Sequence, residues 1–209
     1  MKNAKKIIAL VMCAVMLVGV SVTGTLAFLT ATETVNNTFT VGKVNLGGDD
    51  GSAGLDEAKV DEYGVEVQGA DRVQANEYKL IPGHTYTKDP TIHVGSDSEE
   101  CYLFAKIENG IEAIEATGDT TIAAQLAENN WEVYDDECED YTIYVYKDKV
   151  CTVDSTAQDV LVFSSFTLCE DAVVADYADA CVVVTAYAVQ ADGLTQDEAW
   201  DALAEKYPA

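Results

Sequence analysis

Ala180-Cys-Val-Val-Val-Thr-Ala-Tyr-Ala-Val189 is the most apolar stretch in the C-terminal half of the chain. It is rich in β-branched residues and free of charge, which predicts a central strand buried on both faces or nearly so. Val160-Leu-Val-Phe-Ser-Ser-Phe-Thr-Leu168 predicts a second strand of this kind. Around them, Cys101-Tyr-Leu-Phe-Ala-Lys-Ile-Glu108 alternates cleanly, with Cys101, Leu103, Ala105 and Ile107 on one face. Trp131–Tyr134 reads as a strand, and Tyr141–Tyr146 and Val150–Val153 read as a hairpin turned by residues 147–149. Tyr78–Ile81 runs into a Pro82-Gly83 turn. His84–Val94 is extended, with Pro90 marking an edge or a kink. Thr38–Leu46 changes phase at Gly42-Lys43, where a bulge would sit.

Helical spacing is confined to two places. Residues 120–130 suit a short helix capped by Asp119, and 195–207 suit an amphipathic C-terminal helix. The latter opens with the capping box Thr195-Gln-Asp-Glu198, stripes Ala199, Leu203 and Tyr207 on one side, and stops at Pro208. Residues 47–77, acidic and glycine-rich, read as a solvated loop with a short strand at 63–67. The whole is all-β, an antiparallel sandwich with one short inserted helix and a helix at its C-terminal end.

Twelve Lys+Arg stand against 37 Asp+Glu, a formal charge of −25 over 209 residues. With 48% hydrophobic residues the chain holds a core and is no disordered acidic tail. The charge excludes nucleic-acid binding and docking on anionic membranes, both of which need clustered Lys and Arg.

The first six residues hold three lysines, and an apolar run follows over 7–20. Small and polar residues then lead to Ala27, which describes an export signal cleaved between Ala27 and Phe28. The run is shorter than the roughly 18–20 residues needed to cross a bilayer. The expected product, residues 28–209, is one secreted domain with no membrane anchor and 9 Lys+Arg against 37 Asp+Glu, or −28.

Five cysteines remain after the signal: Cys101, Cys138, Cys151, Cys169 and Cys181. An odd number leaves at least one thiol unpaired within the chain. Cys138 with Cys151 and Cys169 with Cys181 bracket loops and are the first pairs to consider, beside the alternative that all are small apolar side chains. No CxxC spacing occurs.

Catalytic patterns are lacking: there is no HExxH, GxSxG, P-loop or GxGxxG. The only histidines, His84 and His93, are nine apart on one extended segment and fall on opposite faces of an ideal strand, so they read as unrelated surface residues. No cofactor is expected. Asp49, Asp50, Asp135 and Asp136 lie in acidic clusters whose only ligand chemistry is weak Ca²⁺ binding, without the spacing of a dedicated loop.

Three segments carry a family resemblance. Residues 24–46, from Gly24-Thr-Leu-Ala-Phe-Leu-Thr to Lys43-Val-Asn-Leu46, resemble the export region of the TasA/camelysin family, secreted proteins of Gram-positive bacteria cut by a SipW-type signal peptidase. Leu80–Val94 is similar to the family's P-G-D turn and following strand, with His84 where an acid is common. Thr185–Trp200 looks like the ending of clostridial relatives. The resemblance implies a jelly-roll-like sandwich. For some members it implies a matrix role, in which subunits build biofilm fibres by lending an N-terminal strand to a neighbour.

The expected function is therefore a secreted, non-enzymatic structural subunit of an extracellular or biofilm fibre. Its partners are a signal peptidase during export and then copies of itself. The strand-exchange segment would carry Phe28, Leu29, Val35, Phe39 and Val41. In the isolated monomer, Thr38–Leu46 is expected to pair within its own domain. Two alternatives stand beside this: a camelysin-type metalloprotease, for which the sequence offers no paired zinc ligands, and a surface module binding ligand on a platform of Tyr102, Tyr144 and Tyr146.

Overall fold

The computed structural model describes residues 30–32, 44–48, 53–150 and 156–206. Ten strands lie there: β1 (Thr30–Thr32), β2 (Leu55–Asp56), β3 (Thr85–Thr87), β4 (Thr91–Val94), β5 (Cys101–Asn109), β6 (Trp131–Asp135), β7 (Thr142–Tyr146), β8 (Gln158–Leu161), β9 (Ser165–Thr167) and β10 (Val182–Gln190). The helices are α1 (Ile122–Glu128) and α2 (Gln196–Lys206), and short 3₁₀ turns fall at Glu112–Ile114 and Val174–Tyr177.

A five-stranded antiparallel sheet, ordered β1-β10-β5-β7-β6, forms one layer. A three-stranded sheet (β2-β4-β8) and the pair β3-β9 make up smaller sheets. The fold is all-β and sandwich-like, as the strand patterns predict.

β5 is the centre of the molecule and is buried on both faces over Cys101–Ala105, more than its alternation, which marks one buried face, predicts. Cys101, Leu103, Ala105 and Ile107 join one apolar cluster with Ile92 and Val94 of β4, Phe166 of β9 and α1. Tyr102 and Phe104 point the other way, against Val145, Ala199 and Leu203. The C-terminal helix therefore covers the back of the large sheet. It is fixed at its start by the predicted box: the Thr195 backbone N–H donates to Glu198 Oε2 at 2.8 Å, and the Glu198 N–H donates to Thr195 Oγ1 at 3.3 Å.

Several boundaries differ from the sequence expectation. The extended run 84–94 breaks at Pro90 into β3 and β4, which belong to different sheets. Residues 160–168 also split, into β8 and β9. Between them Gln125 Oε1 accepts the backbone N–H groups of Ser164 and Ser165, and Trp131 Nε1 donates to the Leu161 carbonyl. Side chains have taken the place of ladder bonds. Tyr78–Ile81 forms no strand for the same reason: the Tyr86 hydroxyl donates to the Lys79 carbonyl at 2.6 Å and accepts the Ile81 N–H at 2.7 Å. Val150 pairs with Cys101 and not with β7, so no 141–153 hairpin forms among the described residues. Thr121, not Asp119, caps α1, accepting from Ala124 N. β10 is buried only towards its C-terminal end, and Val183 is 38% exposed.

Candidate assembly edge and its ionic clasp

The register of the three-stranded sheet builds a polar cluster on its outer face. Asp56 of β2 stands opposite Thr91 of β4, and Asp159 of β8 stands opposite His93. Thr91 and His93 are two apart, so they share a face, while Ile92 points into the core. The His93 ring bridges the outer strands: Nε2 lies 2.9 Å from Asp56 Oδ1 and Nδ1 lies 2.7 Å from Asp159 Oδ1. With a carboxylate at each ring nitrogen, both nitrogens act as donors, which describes the imidazolium. Burial pulls the His93 pKa down, but the bonds to Asp56 and Asp159 overcome this, and the net displacement is upward.

Arg72, the only arginine in the chain, closes the cluster. Its Nε donates to Asp56, and Nη1 donates to Asp89 Oδ2 at 2.8 Å. Nη2 reaches the carbonyls of Asp56 and Asp89 and the Thr91 hydroxyl, at 3.1, 3.0 and 3.0 Å. Burial opposes this charge too, and the Asp56 and Asp89 partners win, leaving the guanidinium pKa raised. Beside it, Lys88 Nζ donates to the buried Glu57 at 2.6 Å, and Asn76 Nδ2 donates to the other Glu57 oxygen at 2.9 Å. These contacts bind residues 56–76 to the sheet.

The described part of the acidic segment is consequently ordered and partly buried, not a solvated loop. Val60, Asp56 and Glu57 are buried, and Glu57 bridges to Val73 and Val60 to Glu66. Gly64 turns the chain with φ of 75° so close to Tyr86 that an added Cβ would stand 2.8 Å from its Cα.

The clasp flanks a groove along one side of the sandwich. β1 pairs with β10 only from Tyr187 to Val189. Over Val182–Ala186 that edge of β10 has no strand partner among the described residues. It faces Leu46, Leu55 and Asp56 across a groove of about 410 Å³. A second groove of about 520 Å³ adjoins it at Val182, walled by Tyr78, Leu80, Phe166 and Tyr177. The opposite sheet edge, β6, differs: it is bulged between Val133 and Asp135 and carries Glu132 and Asp135. Bulges and charges protect edges from added strands.

Several expected site residues lie outside the described residues: Ala27, Phe28, Leu29, Val35, Phe39, Val41, Asp49, Asp50 and Cys151. Cys138, Cys169 and Cys181 are free thiols, so the Cys169–Cys181 bridge is not formed in this structure. His84 and His93 are unrelated, but His93 is buried in the clasp and is no surface residue. His84 Nε2 donates to the Tyr63 carbonyl at 2.8 Å. Asp135 and Asp136 belong to no group of three or more metal-capable side chains among the described residues. The tyrosine platform does not exist: Tyr102 packs on the α2 side of the large sheet, while Tyr144 and Tyr146 pack on the other. The sequence expectation missed Arg72, Asp56 and Asp159. The signal available was a lone arginine inside a strongly acidic segment.

Searches for a matching family model, a similar curated protein and a similar solved structure each found no match.

Proposed function

We propose that this chain is a secreted structural subunit that associates with copies of itself by strand addition at the β10 edge. The observation that carries this is the asymmetry of the large sheet: β6 is bulged and acidic, whereas Val182–Ala186 of β10 borders a groove of mixed apolar and polar lining with no strand partner among the described residues. Main-chain groups of such an edge bind an extended segment regardless of its sequence, and the groove selects side chains. The donor in this reading is the N-terminal segment carrying Phe28, Leu29, Val35, Phe39 and Val41; its Thr30–Thr32 pairs with β10 of its own chain in the isolated subunit and would exchange to a neighbour on assembly. Donation from one copy to the next is head-to-tail and does not close, so it grows filaments.

The metalloprotease alternative gains no support from His93, whose two ring nitrogens are both occupied by carboxylates. Electron microscopy of the mature protein, with and without residues 28–37, tests the assembly reading. Val183→Lys separates strand docking from general electrostatics. It places a charge in the groove while lowering the net negative charge, so strand docking requires slower assembly and simple charge repulsion requires faster assembly. Monomers under every salt and pH condition tried would overturn the proposal.

A further inference from the structure

The contacts that hold the acidic segment down also bring together a set of groups that can react. Glu57 is 3% exposed and uses both of its carboxylate oxygens. Oε2 accepts from Lys88 Nζ at 2.6 Å, and Oε1 accepts from Asn76 Nδ2 at 2.9 Å. One carboxylate thus holds a primary amine and a carboxamide side by side, and all three side chains line the same groove. The Lys88 side chain is 12% exposed, an unusual depth for a lysine.

Backbone groups fix the Asn76 carboxamide on its other sides. Oδ1 accepts the Val60 N–H at 3.0 Å, and Nδ2 also donates to the Ala58 carbonyl at 2.8 Å. This network assigns the amide orientation, with oxygen facing an N–H and nitrogen facing two acceptors. It also readies the group for acyl transfer. The Val60 N–H is the donor that an oxyanion on Oδ1 would need. Glu57 touches both the nitrogen that would attack and the nitrogen that would leave, the position of a shared general base and acid. The Tyr78 ring, in edge contact with Tyr86 and Phe166, lines the adjoining groove together with Asn76 and Lys88, so apolar surface borders the reacting groups. A buried ion pair alone requires only the first of these contacts.

We propose that Lys88 and Asn76 join in an intramolecular isopeptide bond, with Glu57 as the proton carrier. Glu57 takes a proton from the Lys88 ammonium, and the freed Nζ adds to Asn76 Cγ. The Val60 N–H holds the negative charge on Oδ1. Protonated Glu57 gives its proton to Nδ2, the Cγ–Nδ2 bond breaks and ammonia leaves. Glu57 then takes the second proton from Nζ, leaving a neutral amide. Nothing is oxidised or reduced, and no co-reactant is needed. The fold supplies the proximity that a reaction between free amine and amide lacks. The product ties the acidic segment to the connection between β3 and β4. It does not depend on the assembly reading.

Peptide mass spectrometry of the purified full chain tests this. Trypsin cuts an unmodified chain after Arg72, Lys79 and Lys88, but does not cut after an acylated lysine. The expected product is a branched peptide, residues 73–79 joined to residues 80–106, lighter than the two parts by one ammonia. Fragment ions should place the link on Asn76 and Lys88. Lys88→Arg keeps a cation on Glu57 without an acylable amine and should give only linear peptides. The parent held in urea should stay linear and branch on refolding. Glu57→Gln should slow that branching by about a hundredfold or more, the loss expected for a general acid–base group. Free 73–79 and 80–88 peptides from the folded parent would overturn the proposal, and this result stands whether or not the Glu57 variant folds. So would ammonia loss confined to a linear 73–79 peptide, the product of Asn76 cyclising onto its own backbone. A branch that forms equally fast in urea, or at the parent rate in folded Glu57→Gln, would also overturn it.

Discussion

Asp56 and His93 meet at 2.9 Å across the β2–β4 ladder, on a face that would be solvent-exposed if residues 56–76 were a free loop. One aspartate thus holds two cations, His93 and Arg72, and is 5% exposed. The pairing helps to explain why so acidic a segment lies against a sheet: its buried Asp56 is neutralised by the chain's single arginine and one of its two histidines, and its buried Glu57 by Lys88. Asp56, with Glu57 and Lys88, also lines the groove beside β10. Clasp and edge are therefore one structural unit, and changes to the first should be felt at the second.

Stability should fall as pH rises past neutrality. The folded-state pKa of His93 is raised above its ordinary 6.5. The folded protein therefore binds this proton more tightly than the unfolded chain does. The stabilisation is full below about pH 6.5, the unfolded value, and is lost as pH climbs through the folded value. Urea midpoints measured from pH 6 to pH 9 should decline in the parent and lose this component in His93→Gln. Identical slopes in the two proteins would show that the clasp does not depend on the imidazolium.

Arg72→Ala should destabilise the protein by about 2 kcal/mol. A charge-assisted hydrogen bond is worth about 1.5–3 kcal/mol, and leaving Asp56 without its guanidinium strands a buried carboxylate. Arg72 is itself 35% exposed, so water screens part of the loss. Arg72→Lys should rescue little, because one ammonium cannot serve Asp56, Asp89 and Thr91 at once. Limited proteolysis should cut both variants within residues 58–77 before any other described segment. Cleavage elsewhere first would detach the clasp from the ordering of that segment.

Leu203→Ala should cost about 2–5 kcal/mol, the range for a large-to-small change in a packed core. Leu203 is 2% exposed and lies in the cluster that joins α2 to Phe104 and Val145. The near-ultraviolet signal of Trp200, whose ring sits 5.1 Å from that of Phe104, should weaken in parallel. A full loss of stability with an unchanged Trp200 signal would mean that the helix stays docked and the damage lies elsewhere.

The parts of this fold legible in the sequence were those where one period governs a whole element. β5 alternates through its length, and α2 opens with a capping box that forms as written. The misread parts are those where a side chain from a distant position replaces a ladder bond. Trp131 at the end of β8 and Gln125 at the start of β9 split the 160–168 run, and Tyr86 holds Tyr78–Ile81 out of any sheet. The clasp was hidden for a related reason. Asp56, Arg72, His93 and Asp159 are scattered over more than a hundred positions. Only the register of three strands brings them together.

Cysteine reactivity should follow exposure. Cys181 is exposed at the entrance to β10, where both grooves meet, and Cys101 is fully buried. Burial and a hydrogen bond with Asp171 hold the Cys169 thiol up, which lowers its thiolate fraction. Native alkylation with iodoacetamide, read by peptide mass spectrometry, should therefore label Cys181 first and Cys169 more slowly, with Cys101 labelled only on unfolding. If Cys181 lies beside a docked strand in the assembled state, assembly should protect it while leaving Cys138, on the opposite side of the large sheet order, reactive. Equal labelling of Cys181 in monomer and filament would place the contact away from β10.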